Sequence, residues 1–372
     1  MSRGTIYLMA GGTGGHVIPA LAVAAALAER GYTIRWMGTE RGIESRLVPE
    51  AGYPIDYLRI GGLRGKGLAT RLAAPFRLLA AVWQAVGLLR RHRPKLVIGM
   101  GGFAAGPGGL AAWLTRRPLV VHEQNAIAGL TNRVLSRLAR VTLAAYPKAF
   151  GAALPADQVV GNPVRAEIEA LPAPAERFTD RTGAVRVLVL GGSLGAQALN
   201  EAVPVALARI SQRVALDVRH QAGPRHVDTA ERHYAGTEWG AGSRHEVSGF
   251  VSDMAEAFGW ADFVIARAGA MTVAEIAAAG VGALFIPFPH AVDDHQRFNA
   301  AWLVDQGAAR LLIQSEADAE RLVRLLGPLL GDRAALQDMA ERARAAAVPD
   351  STGRIVAICE RLIEGQRPGE DA

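Results

Sequence analysis

The sequence predicts an α/β protein built from two successive doubly wound parallel sheets. Apolar runs of strand length alternate with helical stretches along most of the 372 residues, the pattern of β-α-β units and hence of parallel strands. One order of events, apolar strand then glycine-rich loop then helix, occurs at residues 6–29 and again at residues 185–210. Length points the same way, since roughly 150 residues make a domain and the chain has room for about two. With 50% hydrophobic residues, 20% charged residues and a mean hydropathy of +0.15, the chain is too apolar and too weakly charged for intrinsic disorder.

Residues 6–10, Ile-Tyr-Leu-Met-Ala, read as the first strand, Gly11-Gly-Thr-Gly-Gly-His16 as a loop and residues 19–29 as a helix. Residues 33–37, 95–100, 119–122 and 141–144 are further strands with helical stretches between them. Proline and alanine then crowd around Gly161-Asn-Pro163 and Leu171-Pro-Ala-Pro174, a linker-like composition. The domain boundary is placed there, giving an N-terminal domain of residues 1–163 and a C-terminal domain of residues 164–349. Past it the grammar restarts with a strand at 185–190, the loop Gly191-Gly-Ser-Leu-Gly-Ala196 and a helix at 197–210. Later strands fall at 215–220, 263–266 and 283–287, and Gly269 and Gly280 bracket an alanine-rich helix. The amphipathic stretch 351–363 reads as a last helix able to pack on either domain; residues 350–372 are expected to join the first.

Charge is unevenly shared. Residues 1–160 hold 20 Lys/Arg against 7 Asp/Glu, a net +13, and the remainder carries −7. Such asymmetry suggests that the N-terminal half meets a polyanion, nucleic acid or an anionic membrane, with a solvated basic surface as the plainer alternative. Residues 96–115 lack a charge and approach the ~20 residues that span a bilayer. Six glycines from Gly99 to Gly109 and Pro107 break that run into strand, loop and helix. Residues 68–89 are interrupted by Arg71, Pro75 and Arg77, which suits a helix lying on a surface better than one crossing it. The first ten residues show no secretion signal. A single cysteine, Cys359, excludes an internal disulfide and a CxxC zinc site and fits a reducing compartment.

The loop 11–16 lies between a strand and a helix, where unpaired N–H groups and the helix dipole favour anionic or strongly polar groups. Read as a dinucleotide fingerprint it has Val17 where the third glycine belongs, and no Gly-Lys-Ser/Thr follows to make a Walker loop. One glycine loop is as readily a tight turn. Three of them, adding Gly99-Met-Gly-Gly-Phe103 and Gly191-Gly-Ser-Leu-Gly195, all at strand C-termini where open α/β sheets bind ligands, favour a nucleotide. His16 at the helix start is the general-base candidate, because a nearby positive dipole keeps an imidazole neutral; the bland alternative is a histidine that only caps the loop. The polar run His122-Glu-Gln-Asn125 follows an apolar strand and so reaches the same edge. There is no His-Glu-x-x-His and no Asp-x-Asp. Asp293-Asp-His295 is the one compact metal-like cluster and reads more readily as a surface turn.

These motifs, taken with Gly161-Asn-Pro-Val-Arg165, Phe250-Val-Ser-Asp-Met254, Arg267-Ala-Gly-Ala270, Thr272-Val-Ala-Glu-Ile276 and Gln296 to Asn299, resemble the MurG family of glycosyltransferases, in order along almost the whole chain. The resemblance implies a glycosyltransferase-B fold, two Rossmann-like domains facing a cleft. It also implies an inverting transfer of N-acetylglucosamine from UDP-GlcNAc to the MurNAc 4-hydroxyl of lipid I, giving the β-1,4 linkage of lipid II for peptidoglycan. By the same resemblance His16 is the base, with Glu123 its rival. Thr13, Gly14, Gly15 and Asn125 would reach the donor from the N-domain, and Arg165 and Ser193 would lie near its diphosphate. Val251 would contact uracil through its backbone, and Gln296 would read the sugar hydroxyls. Ala270, Met271, Thr272, Val273 and Ala274 would bring a helix start to the diphosphate, and Glu275 would take the ribose hydroxyls. Gly101, Gly102 and Phe103 would serve the acceptor. Phe103 stands where tyrosine is usual, so a hydroxyl-dependent role is lost there, and Leu194 stands where a polar residue is expected, which weakens a side-chain contact at that position.

Neither a metal nor a cofactor is implied. The partners implied are UDP-GlcNAc, lipid I, anionic inner-leaflet lipids and other cell-wall and division proteins, not nucleic acid. The location implied is peripheral, on the cytoplasmic face of the inner membrane. Leu68, Leu72, Phe76, Leu79 and Trp83 fall on one helical face among Lys66, Arg71 and Arg90 to Arg93, which fits membrane docking or an ordinary core stripe. A UDP-sugar 2-epimerase shares the architecture but needs no lipid, and a non-catalytic lipid-binding scaffold would keep the basic face without releasing UDP.

Overall fold

The computed structural model describes residues 2–60, 74–192 and 195–366. It divides into two compact units, Met1–Val164 with Asp350–Ala372, and Arg165–Pro349. Each unit is a six-stranded parallel sheet. In unit 1 the strands are β1 (Thr5–Met9), β2 (Thr33–Gly38), β3 (Ile55–Tyr57), β4 (Leu96–Gly99), β5 (Leu119–Glu123) and β6 (Val141–Ala144). Unit 2 contains β7 (Val185–Leu190), β8 (Leu216–Gln221), β9 (Arg244–Ser248), β10 (Phe263–Ala266), β11 (Gly282–Phe285) and β12 (Ala309–Leu311). The orders are β3-β2-β1-β4-β5-β6 and β12-β11-β10-β7-β8-β9, so both sheets share one doubly wound topology. Strand order reverses between β1 and β4 in one sheet and between β7 and β10 in the other, and ligands of open α/β sheets bind outside the carboxyl ends at such points.

The central strands are apolar because helices cover both faces. Ile6, Leu8, Ile34, Trp36, Leu96 and Ile98 turn one way, against Val17, Ala20, Val23, Ala24 and Leu27 of the Gly14–Glu29 helix. Tyr7, Met9, Val97 and Val121 turn the other way, against the Ala74–His92 and Ala105–Leu114 helices. The C-terminal helix Ser351–Ile363 belongs to unit 1, burying Ile355, Val356, Ile358, Cys359 and Leu362 in the first of these cores. Glu360 pins it through Arg3 at 2.7 Å and through Arg30. In unit 2 an ion pair of Arg181 with the buried Asp262, whose other oxygen accepts from the Arg186 N–H at 2.9 Å, ties residues ahead of β7 to the start of β10.

Among the described residues no helix is long and apolar enough to cross a membrane. Leu68 and Leu72 lie outside the described residues. Phe76, Leu79 and Trp83 are 77%, 56% and 60% exposed, so this part of the stripe is not core.

Candidate functional site

In unit 1, three segments gather at the carboxyl edge of β1, β4 and β5. The β1 segment leaves Ala10 through Gly11-Gly12 and enters the helix at Gly14, with Thr13 as an N-cap whose side chain makes no capping bond. Thr13 is exposed and Gly14 and Gly15 are half-buried, so the first-turn N–H groups can meet a polar ligand. His16 stands in that first turn, its N–H bonded to the Thr13 carbonyl at 3.2 Å.

The loop is fixed from below by Glu44, a residue with no local sequence signal. Its fully buried carboxylate accepts from the Gly12 N–H at 2.9 Å, the Thr39 N–H at 3.0 Å and the Thr39 hydroxyl at 2.7 Å. A Cβ at Gly11 would stand 2.6 Å from that carboxylate, which is why a side chain is not tolerated there.

The β4 loop packs onto the β1 loop. Gly101 and Gly102 have φ of +103° and +89°, in the left-handed region that favours glycine. A Cβ on Gly102 would lie 2.5 Å from the Gly11 carbonyl oxygen, and one on Gly101 would lie 2.7 Å from His16 Nδ1. Phe103 beside them is half exposed.

The β5 segment supplies the polar run. His122, Glu123 and Gln124 are buried and Asn125 half-buried. The Glu123 carboxylate accepts from the Asn125 N–H (3.0 Å), Asn125 Nδ2 (3.1 Å), the Gly129 N–H (3.2 Å) and Asn132 Nδ2 (2.9 Å). It therefore organises the 125–132 loop. Gln124 lies 3.0 Å from His16 Nδ1 through Oε1 and 3.1 Å from His122 Nδ1 through Nε2, and His122 Nε2 lies 2.9 Å from the Gly161 carbonyl.

In unit 2 the loops after β7 and β10 flank the corresponding reversal. Ser193 and Leu194 lie outside the described residues. Their neighbour Gly192 is held by Gln221 at the end of β8, which accepts from the Gly192 N–H at 3.0 Å and donates to the Gly192 and Gly249 carbonyls, both at 3.1 Å. After β10, Gly269 caps the Ala270–Ala279 helix without a side-chain bond, leaving the N–H groups of Ala270, Met271 and Thr272 at its start outside the intrahelical ladder. Val273 is buried in that first turn and Ala274 half-buried in the next. Arg267 secures this loop by donating to the Ile286 and Pro287 carbonyls at 2.9 and 3.1 Å and to Gln314 at 2.6 Å.

Glu275, 7% exposed, faces Arg165 at 3.4 Å. Burial pushes its carboxyl up to about 6 against the opposing pull of Arg165. Gln296 accepts from the Phe288 N–H at 2.9 Å through Oε1, which leaves its amide N–H groups to donate elsewhere. Val251 is half-buried beside the exposed ring of Phe250, the first residue of the motif that contains both.

Away from these loops, a cavity of about 570 Å³ sits at the amino end of β5, lined by Trp113, Arg116, Arg117, Arg140 and Leu362 among others. No group of three or more His, Cys, Asp or Glu residues placed to hold a metal ion occurs among the described residues.

The glycosyltransferase family 28 N-terminal domain matches residues 6–143 and its C-terminal domain residues 186–355. The UDP-N-acetylglucosamine--N-acetylmuramyl-(pentapeptide) pyrophosphoryl-undecaprenol N-acetylglucosamine transferase of Cupriavidus metallidurans is 51% identical over 362 residues, 97% of this chain and 99% of that protein. The enzyme of the same name from Halorhodospira halophila is 53% identical over 367 residues, 98% of this chain and 100% of that protein. Among solved structures, the MurG crystal structure from Acinetobacter baumannii superposes with a TM-score of 0.86 at 40% identity, covering 96% of this chain and all of that one. With both halves matched in order and about half of its residues shared along its length, this chain belongs to the MurG branch of glycosyltransferase family 28, with the two-sheet glycosyltransferase-B fold.

Proposed function

We propose that this protein transfers N-acetylglucosamine from UDP-GlcNAc to the 4-hydroxyl of lipid-linked MurNAc-pentapeptide, converting lipid I to lipid II. The observation that carries the reading is identity of about 50% along essentially the full length to transferases of that name. Local geometry at the two carboxyl edges supports it. Unit 2 is the donor side: Glu275 accepts the ribose hydroxyls, Val251 meets uracil through its backbone, and Gln296 donates to sugar hydroxyls. Arg165 and the first turn of the Ala270–Ala279 helix offset the charge that grows on the departing diphosphate.

Unit 1 supplies the base. The acceptor oxygen forms its bond to the anomeric carbon as its proton passes to His16 and the sugar–diphosphate bond breaks with its electrons leaving on UDP. Glu123 is the weaker candidate, because four donors already engage its carboxylate. Thr13, Gly14, Gly15 and Asn125 approach the donor sugar, and Gly101, Gly102 and Phe103 border the acceptor.

The acceptor's lipid tail calls for a membrane surface. The Ala74–His92 helix exposes Phe76, Leu79 and Trp83 and carries Arg77, Arg90 and Arg91, and the next two helices expose Trp113 and Leu114, and Leu130 and Val134. We assign this face to peripheral docking on an anionic inner leaflet from the cytoplasmic side.

UDP release with a soluble lipid I analogue tests the reaction. The expected result is acceptor-dependent release, reduced at least about 100-fold in His16→Ala, on the scale of losing one catalytic group. Turnover of UDP-GlcNAc at the same rate without acceptor would assign a 2-epimerase or hydrolase instead.

A further inference from the structure

A histidine acting as a base must hold its proton on the far nitrogen, and the buried groups behind His16 bear on which nitrogen that is. The carbonyl oxygen of Gly161 can only accept. His122 Nε2 at 2.9 Å is therefore the donor. A neutral His122 then has a lone pair on Nδ1, which accepts from Gln124 Nε2 at 3.1 Å. That turns the amide so that Oε1 faces His16, and an oxygen 3.0 Å from His16 Nδ1 requires a hydrogen on Nδ1.

The opposite amide orientation would place an oxygen against His122 Nδ1. His122 would then need hydrogens on both nitrogens and would be a cation at a fully buried position. Burial instead pushes His122 down to about 4, so it is neutral in any ordinary buffer. Asn162 Nδ2, donating to the Gln124 carbonyl at 3.0 Å, fixes the backbone of the relay.

We infer that Gln124, His122 and the Gly161 carbonyl form a relay of positioning groups that holds His16 as its Nδ1–H tautomer and leaves Nε2 as the atom that takes the acceptor proton. The inference rests on the reading of His16 as base. In the step itself the acceptor hydroxyl gives its proton to Nε2, its oxygen bonds the anomeric carbon, and the bond to the diphosphate breaks with its electron pair on UDP. Nδ1–H stays bonded to Gln124 throughout. Nothing along the relay gains or loses a proton, so its role is orientation and not transfer.

The test reads the tautomer directly. In protein labelled with ¹⁵N in its histidine rings, at alkaline pH, His16 Nε2 should show the shift of an unprotonated nitrogen and Nδ1 that of a protonated one, the signals being assigned by their loss in His16→Gln. His122→Leu should average the two His16 signals and lower kcat about 10- to 100-fold, with KM for UDP-GlcNAc within about twofold. His122→Gln can donate to Gly161 and accept from Gln124, and should restore the wild-type tautomer signature.

A protonated Nε2 in the wild type would overturn the relay, and this spectrum decides even if His122→Leu fails to fold. Should His16→Ala keep wild-type turnover, the assignment of the base falls, and the relay's catalytic role with it. Loss of activity in His16→Ala with a protonated Nε2 would overturn the relay alone.

Discussion

Glu275 is held in unit 2 at a cost that pH can reveal. Its carboxyl is raised from an ordinary value near 4.5 to about 6, first by burial, with Arg165 pulling the other way. A raised folded-state value means that the stability associated with the protonated form is fully present below about pH 4.5 and is lost as pH rises through about 6. The difference of roughly 1.5 units corresponds to about 2 kcal/mol by which the ionised side chain weakens unit 2 at pH 8. Glu275→Gln keeps the shape and removes the charge. It should therefore melt higher than wild type at pH 8 by about 4–8 °C, at 2–4 °C per kcal/mol for a unit of this size, and the gap should close near pH 4.5. The same substitution should weaken UDP binding about tenfold, because a charged acceptor makes a stronger hydrogen bond to a hydroxyl than a neutral one. Affinity for UDP should fall more steeply in the wild type than in the variant as pH drops through 6. Thermal melts and calorimetric UDP titrations at pH 5, 6, 7 and 8 on both proteins measure these quantities. Parallel melting curves across that range, or a variant less stable at pH 8, would refute the reasoning.

Glu44→Ala removes the acceptor for three donors under the first glycine loop and should cost unit 1 about 3–4 kcal/mol, read as a lowered urea midpoint. Gly101→Ala puts a methyl 2.7 Å from His16 Nδ1 at a φ of +103°. Steady-state kinetics should show kcat down at least about tenfold, with UDP binding to the separate donor unit unchanged. Phe76→Asp/Trp83→Ser should lose co-sedimentation with anionic liposomes while keeping its melting temperature, since both side chains are exposed; a folded double mutant that binds liposomes as wild type does would remove this face from the docking surface.

How much of this was legible in the sequence follows from burial. The central strands β1, β4, β7 and β10 are covered on both faces, so they appear as continuous apolar runs. The strands that the pattern did not reveal, β3, β9 and β12, all lie at sheet edges. Two have three residues each, and Arg244–Ser248 is largely polar, as an exposed edge must be to avoid pairing with other chains. The first helix was expected from residue 19 because glycines and a proline read as loop. It begins at Gly14, and Pro19 is tolerated so close to the start because its missing N–H sacrifices only the bond to the Gly15 carbonyl. Glycine loops and the His122–Asn125 run were visible because glycine and clustered polar residues mark a strand end. Glu44 and Gln221 were not, since each grips a glycine about thirty residues away and no local period records such a contact.

The buried acids at the two carboxyl edges separate by how fully they are bonded. Glu44 has three donors and Glu123 four, each from the unit that contains it. A carboxylate offers about four lone-pair sites, so both are occupied in shaping loops, and ligand contact would have to displace a bond already made. Glu275 is paired, among the described residues, with Arg165 at 3.4 Å, and burial raises its carboxyl toward neutrality. A buried acceptor that its own unit leaves under-bonded gains most from a ligand hydroxyl, which supplies the hydrogen bond that folding did not. The same accounting favours His16 over Glu123 as base: the imidazole spends one nitrogen on Gln124 and keeps the other for substrate, whereas the carboxylate keeps nothing.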